Sequence, residues 1–175
     1  MFDPTIYDNL KVVLEGAVYD LDEVGVALVT NRIDRVDLAT MSRFYSIQFR
    51  EKDQTAGQAF AEIRLYAQMD DLAAEILEQN EKYVGCGLEI VFQTRVSNSD
   101  QECPKIEKLL QEIWQNRPTI KQTLSFTYGQ NVGSYKNSIT VQFGRKINEE
   151  QIEDMTTLID HVFHSLQRLN QIHME

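Results

Sequence analysis

The chain is poor in residues that staple, break or punctuate a fold. Its 175 residues include two cysteines, three prolines and one tryptophan. Cys86 and Cys103 are too few for a disulfide framework and too far apart for a zinc knuckle or a dithiol redox motif. Both are expected to stay reduced. With so few prolines and no Gly/Ser-rich tract, no linker divides the chain. The apolar runs, such as Gly25 to Val29, are far shorter than a bilayer span. The opening Met1-Phe2-Asp3-Pro4 lacks the basic start and apolar stretch of a secretory signal. Lys and Arg number 17 against 27 Asp and Glu, for a net charge of −10. Such a mean field repels phosphates, which disfavours a nucleic-acid partner. These absences predict a soluble, cytoplasmic, membrane-free chain forming a single domain over residues 1–175.

Chemistry-bearing motifs are equally scarce. There is no Walker A loop, nucleophile elbow or HExxH pattern. Gly85-Cys86-Gly87 precedes a strand and does not open a helix, so it does not cradle phosphate. Gly85 reads instead as the left-handed residue closing the preceding helix.

What is present is the composition of a globular domain, 42% hydrophobic and 25% charged. Period-two alternation predicts strands over Cys86–Val96, Thr119–Tyr128 and Asn137–Arg145. In the second of these Ile120, Leu124, Phe126 and Tyr128 should face inward, with Lys121, Thr123, Ser125 and Thr127 outward. The stretch from Gly129 to Ser134 reads as the hairpin loop between the last two strands. Arg43–Glu51 and Gln58–Ala67 read as a second hairpin, and residues 25–40 as a further strand. Leu10–Leu21, apolar and β-branched, is expected to be a strand with Gly16 as a bulge.

Helical spacing predicts helices over Asp70–Tyr83, Pro104–Asn116 and the long segment from Asn148 to about residue 170. Pro104 suits a first helical position. Asn148 with Gln151 forms a capping-box pair. Polar alternates along the strands mean one wet sheet face. The expected fold is therefore α+β: a mostly antiparallel sheet with about three helices on one face, the long C-terminal helix packed on the sheet. A hairpin followed by a helix occurs at 43–83 and again at 119–170, a weak hint of internal duplication.

Charge is segregated. Residues 113–147 hold Arg117, Lys121, Lys136, Arg145 and Lys146 and no acid at all. Lys121, Tyr135, Lys136, Arg145 and Lys146 are the candidate ligand- or partner-binding residues, facing a small anion, an acidic protein surface or a second copy of the chain. Cys103, expected at the cap of the second helix, is the candidate reactive thiol, since unpaired helix N–H groups favour thiolate. His161 and His164 lie three apart on the last helix but read as solvated. The acid groups at Asp20/Asp22/Glu23, Asp70/Asp71 and Glu149/Glu150/Glu153/Asp154 lack a metal-binding pattern, the last two matching helix starts. No catalytic, metal or cofactor residue is assigned. The functional expectation is a non-enzymatic binding or interaction module, in which homo-oligomerisation is one outcome. The alternative is an enzyme or thiol-based sensor whose site lies in the cleft between the sheet and the C-terminal helix.

Overall fold

A computed structural model describes residues 5–53, 59–78, 80, 84–130 and 133–172. The middle of the first hairpin turn (54–58), the expected last residues of the helix after it (81–83), residues 131–132 of the second hairpin loop and His173 lie outside the described residues. The elements run α1 (Ile6–Glu23), β1 (Ala27–Asp37), β2 (Ser42–Glu51), β3 (Phe60–Ala67), α2 (Met69–Ile76), β4 (Gly87–Val96), α3 (Ser99–Ile113), β5 (Thr119–Ser125), β6 (Tyr135–Gln142), a 3-10 segment (Glu149–Asp154) and α4 (Met155–Ile172).

The six strands form one sheet in the order β1-β2-β3-β4-β6-β5, every pairing antiparallel. The register aligns apolar residues in rows. Ile47, Ile63, Ile90, Val141 and Ile120 make one such row across five strands. Phe49, Ala61, Phe92 and Ile139 make the next, and all four are fully buried. The opposite face carries Ser46, Arg64, Glu89 and Gln142 in register, with Arg64 bridging Glu62 at 2.8 Å and Glu89 at 3.1 Å. The period-two signal thus assigns an oily face and a polar face.

Helices α1, α4 and α3 cover the oily face, with α4 in the middle touching both neighbours. Among the buried residues of α4, Ile159, Val162, Leu166 and Leu169 recur at helical spacing. Near its end Asn170 is also buried, accepting a hydrogen bond from the Ala59 amide at 2.9 Å and donating to Glu51. The Asn148–Gln151 capping pair is present, but it opens the 3-10 segment, and α4 proper begins at Met155.

Three expectations need correction. The segment Leu10–Leu21 is not a strand but most of helix α1. Its buried set Tyr7, Leu10, Leu14 and Val18 has a spacing of three to four residues, so the period outweighs the β-branched composition. Gly16 is no bulge but sits on the exposed side of that helix. Helix α3 begins at Ser99, with the Asn98 side chain accepting from the Gln101 amide at 3.3 Å, so Pro104 lies inside the helix. Gly85 does not close α2; Glu78, with φ of 49°, follows its last turn. Gly85 (φ 143°) instead lets the backbone approach residue 147, since a Cβ there would lie 2.5 Å from the Ile147 carbonyl oxygen. That approach permits the paired bonds from Cys86 N to Ile147 O at 2.8 Å and from Ile147 N to Cys86 O at 2.9 Å.

No helix among the described residues is long and apolar enough to cross a membrane.

Candidate functional site

A cleft of about 390 Å³ opens where the C-terminal end of α3, the N-terminal part of α4 and the end of the sheet meet. Its wall is built around the chain's single tryptophan. Trp114 follows the last residue of α3 and is only 7% exposed. Its ring meets Phe143 edge-on at 5.6 Å and lies 5.6 Å from the His161 ring. The indole N–H donates to Ser165 Oγ at 3.1 Å, and that hydroxyl donates to the His161 carbonyl at 2.7 Å. The aromatic wall is therefore fixed to α4 by a buried polar chain. Leu88, Ile113, Ile147, Met155 and Leu158 complete the apolar lining.

His161 is half-buried against Trp114, whereas His164 is exposed. His161 Nδ1 lies 2.8 Å from the Thr157 carbonyl oxygen, so Nδ1 carries the shared proton. Among the described residues, no hydrogen bond links His161 to a carboxylate.

Polar groups gather at the mouth. Arg117 and Arg145 line it from the ends of α3 and β6, with Asp154 the one carboxylate of the lining. Gln115, Gln151 and Thr157 supply neutral hydrogen-bonding groups. Among the described residues, neither Arg117 nor Arg145 makes an ion pair. By contrast Arg32, Arg43 and Arg64 are all paired with carboxylates.

The five residues singled out from the basic window do not share one surface. Lys121 and Lys136 stand in register with Thr140 and Arg95 and face the side of the sheet opposite the helices. Tyr135 pairs with buried Val96 and turns to the helix face, its ring 6.2 Å from that of Phe126. Arg145 lines the cleft, while Lys146 is ion-paired to Asp71 at the start of α2. The inward set of β5 also thins out along the strand. Ile120 is half-buried, but Leu124, Phe126 and Tyr128 are 37%, 62% and 96% exposed. β5 is an edge strand whose end runs beyond the helices.

Cys103 does not cap α3; it lies inside the helix, half-buried against the core. Burial first, then the carboxylates of Glu102 and Asp100, push its thiol above the ordinary range. Glu102 itself takes the amides of Ser97 and Asn98 at 2.8 and 2.6 Å. Burial likewise raises Cys86, to about 12.

The acid groups have local duties. Asp71 accepts from the Gln68 amide at 2.9 Å, and Asp22 accepts from Val29 N at 2.8 Å. Glu149 takes the Asn9 amide group, and Glu75 receives the Thr5 and Ile6 amides at 2.6 and 3.2 Å. No group of three or more His, Cys, Asp or Glu side chains among the described residues could hold a metal ion.

Sequence reasoning missed Trp114, Phe143 and Arg117 as members of one site. A lone tryptophan at a helix end and a cation just before Pro118 are unremarkable until the chain folds. In comparisons with known proteins, no family model, no curated protein and no solved structure matches the chain. The fold and the cleft define a class only: an α+β protein with a one-sided antiparallel sheet and a partly open pocket beside its terminal helix.

Proposed function

We propose that this protein is a single-domain, cytoplasmic, non-enzymatic binding module that holds a small molecule in the cleft beside α4. The observation carrying this reading is the convergence of an aromatic wall and several polar groups on one concave space. Trp114, Phe143 and Leu158 offer apolar contact area; Gln115, Gln151 and Thr157 offer hydrogen-bond partners around it.

The enzymatic alternative draws on the same cleft, where His161 and Asp154 are both present. General-base catalysis calls for a base oriented by an acceptor and within reach of the reacting atom. His161 is oriented by a carbonyl of its own helix, and no serine, cysteine or lysine lies among the cleft's lining residues. A thiol-sensor reading places the chemistry on Cys103, which is not among the lining residues and whose thiol is raised. The binding reading is therefore preferred.

The test is a fragment screen on isotope-labelled protein read by amide shifts. Hits should move Trp114, Phe143, Arg145 and His161 together. Shifts confined to the polar face of the sheet, or no hits at any site, would reject the reading.

A further inference from the structure

Beyond the presence of a pocket, its chemistry points to what it takes. We infer that the cleft selects organic anions: molecules with an aromatic or apolar body and one acidic group, the body against Trp114 and Phe143 and the acid at Arg117 and Arg145. This deepens the binding reading above and rests on it.

Three guanidinium groups of this protein, those of Arg32, Arg43 and Arg64, are paired with carboxylates. Arg43 holds Asp8 through two bonds of 2.8 and 2.7 Å, and Arg64 spans Glu62 and Glu89. Arg117 and Arg145 come from different elements, line the same mouth and, among the described residues, have no such partner. Two guanidinium groups at the edge of an apolar cavity supply the hydrogen-bond donors and the charge that a carboxylate, sulfonate or phosphate takes up. Asp154 is the single opposing charge on the lining, and it lies beyond ion-pair distance of both arginines. The local balance favours an anion in a protein whose net charge is −10.

The body of the ligand is set by the rest of the wall. Trp114 is held by Ser165 and braced by Phe143, so its orientation is fixed before anything binds. The cavity, about 390 Å³, lies near the lower end of the range for small-molecule sites, roughly 300–1,000 Å³.

The experiment uses two probes with the same ring system. Anilinonaphthalene sulfonate carries an acid; N-phenylnaphthylamine does not. Binding of each is followed by probe emission and by quenching of the single tryptophan. The sulfonate should bind at least about tenfold more tightly than the neutral probe, the order expected for a hydrogen bond to a charged group. Arg117→Gln and Arg145→Gln should each remove most of that preference without changing the neutral probe. Asp154→Asn should strengthen it, and Lys121→Gln, on the other face of the sheet, should leave it unchanged. Added salt should weaken only the sulfonate. Equal affinity for the two probes, or a preference that survives both arginine substitutions, overturns the anion assignment while leaving the cleft as a binding site. If neither probe quenches Trp114, the binding reading falls with it.

Discussion

The indole nitrogen of Trp114 and the hydroxyl of Ser165 meet at 3.1 Å inside the core, joining the end of α3 to the middle of α4. Both residues are almost fully buried, so neither group has water as a substitute partner. The bond sets the tilt of the aromatic wall along which the cleft opens.

Ser165→Ala leaves the indole N–H buried without an acceptor. It should cost about 1–3 kcal/mol of stability, the penalty of an orphaned buried donor. Because Trp114 is the only tryptophan, its emission should shift in the native state as well. Urea titration read by fluorescence checks both, and an unchanged midpoint would show the bond to be dispensable.

Gly85→Ala forces a Cβ to 2.5 Å from the Ile147 carbonyl oxygen, at a φ of 143° that L-residues rarely adopt. The loss should exceed about 2 kcal/mol, since strain and a broken bridge add together. Gly16→Ala is the contrasting case. Its added methyl meets no atom within 4 Å on the exposed face of α1, and it should gain about 0.5–1 kcal/mol. Denaturation midpoints moving in the same direction for both would contradict the assigned environments.

Tyr7 is fully buried, and among the described residues its hydroxyl has no hydrogen-bond partner. Its ring serves instead as a platform for Arg43, whose guanidinium carbon lies 4.3 Å from the ring centre. Tyr7→Phe keeps that platform and deletes the orphan. Thermal unfolding should find the variant at least as stable as the parent, within about 0.5 kcal/mol. A clear loss would reveal a polar contact for the hydroxyl.

The Arg43 guanidinium hydrogen-bonds Asp8 and holds its carboxyl below the ordinary 3.8. A carboxyl lowered in the folded state stabilises the fold above the unfolded value, and that contribution is lost as pH falls through the folded one. The side chain is 47% exposed, so solvent screening keeps the gain under about 1 kcal/mol. Asp8→Asn should lower stability at pH 7 and shrink the gap from the parent as pH drops below 3.8. Parallel stability curves for parent and variant across that range would remove the assigned pairing.

Neither thiol is prepared for reaction. Cys86 is buried and raised to about 12, and Cys103 is raised by burial and two neighbouring acids. At neutral pH a disulfide reagent should label Cys103 more slowly than a free thiol, and Cys86 only as the protein unfolds. Rapid labelling of Cys103 would revive the sensor alternative.

The sheet could be read from the chain because a half-buried strand writes its two environments into alternate residues. Glu89, Gln93 and Arg95 against Leu88, Ile90 and Phe92 is such a record. Helix α4 was legible for the same reason at the helical period. Helix α1 was not, because Val12, Val13 and Val18 give it the composition of a strand, and only burial of every third or fourth residue reveals the helix. The lone carbonyl contact that demands Gly85, and the start of α3 ahead of Pro104, depend on neighbours far along the chain.

Sequence alone determined the fold class, the oily and polar sheet faces and the segregated charge, since each is a property of short-range pattern and composition. Tertiary structure alone decided which cations share a surface. Arg145 and Lys146 are adjacent in sequence, yet one lines the cleft and the other is bound to Asp71. Arg117 joins Arg145 only because α3 and β6 end at the same place. A site assembled from the ends of separate elements leaves no local trace, because its spacing is set by packing and not by periodicity.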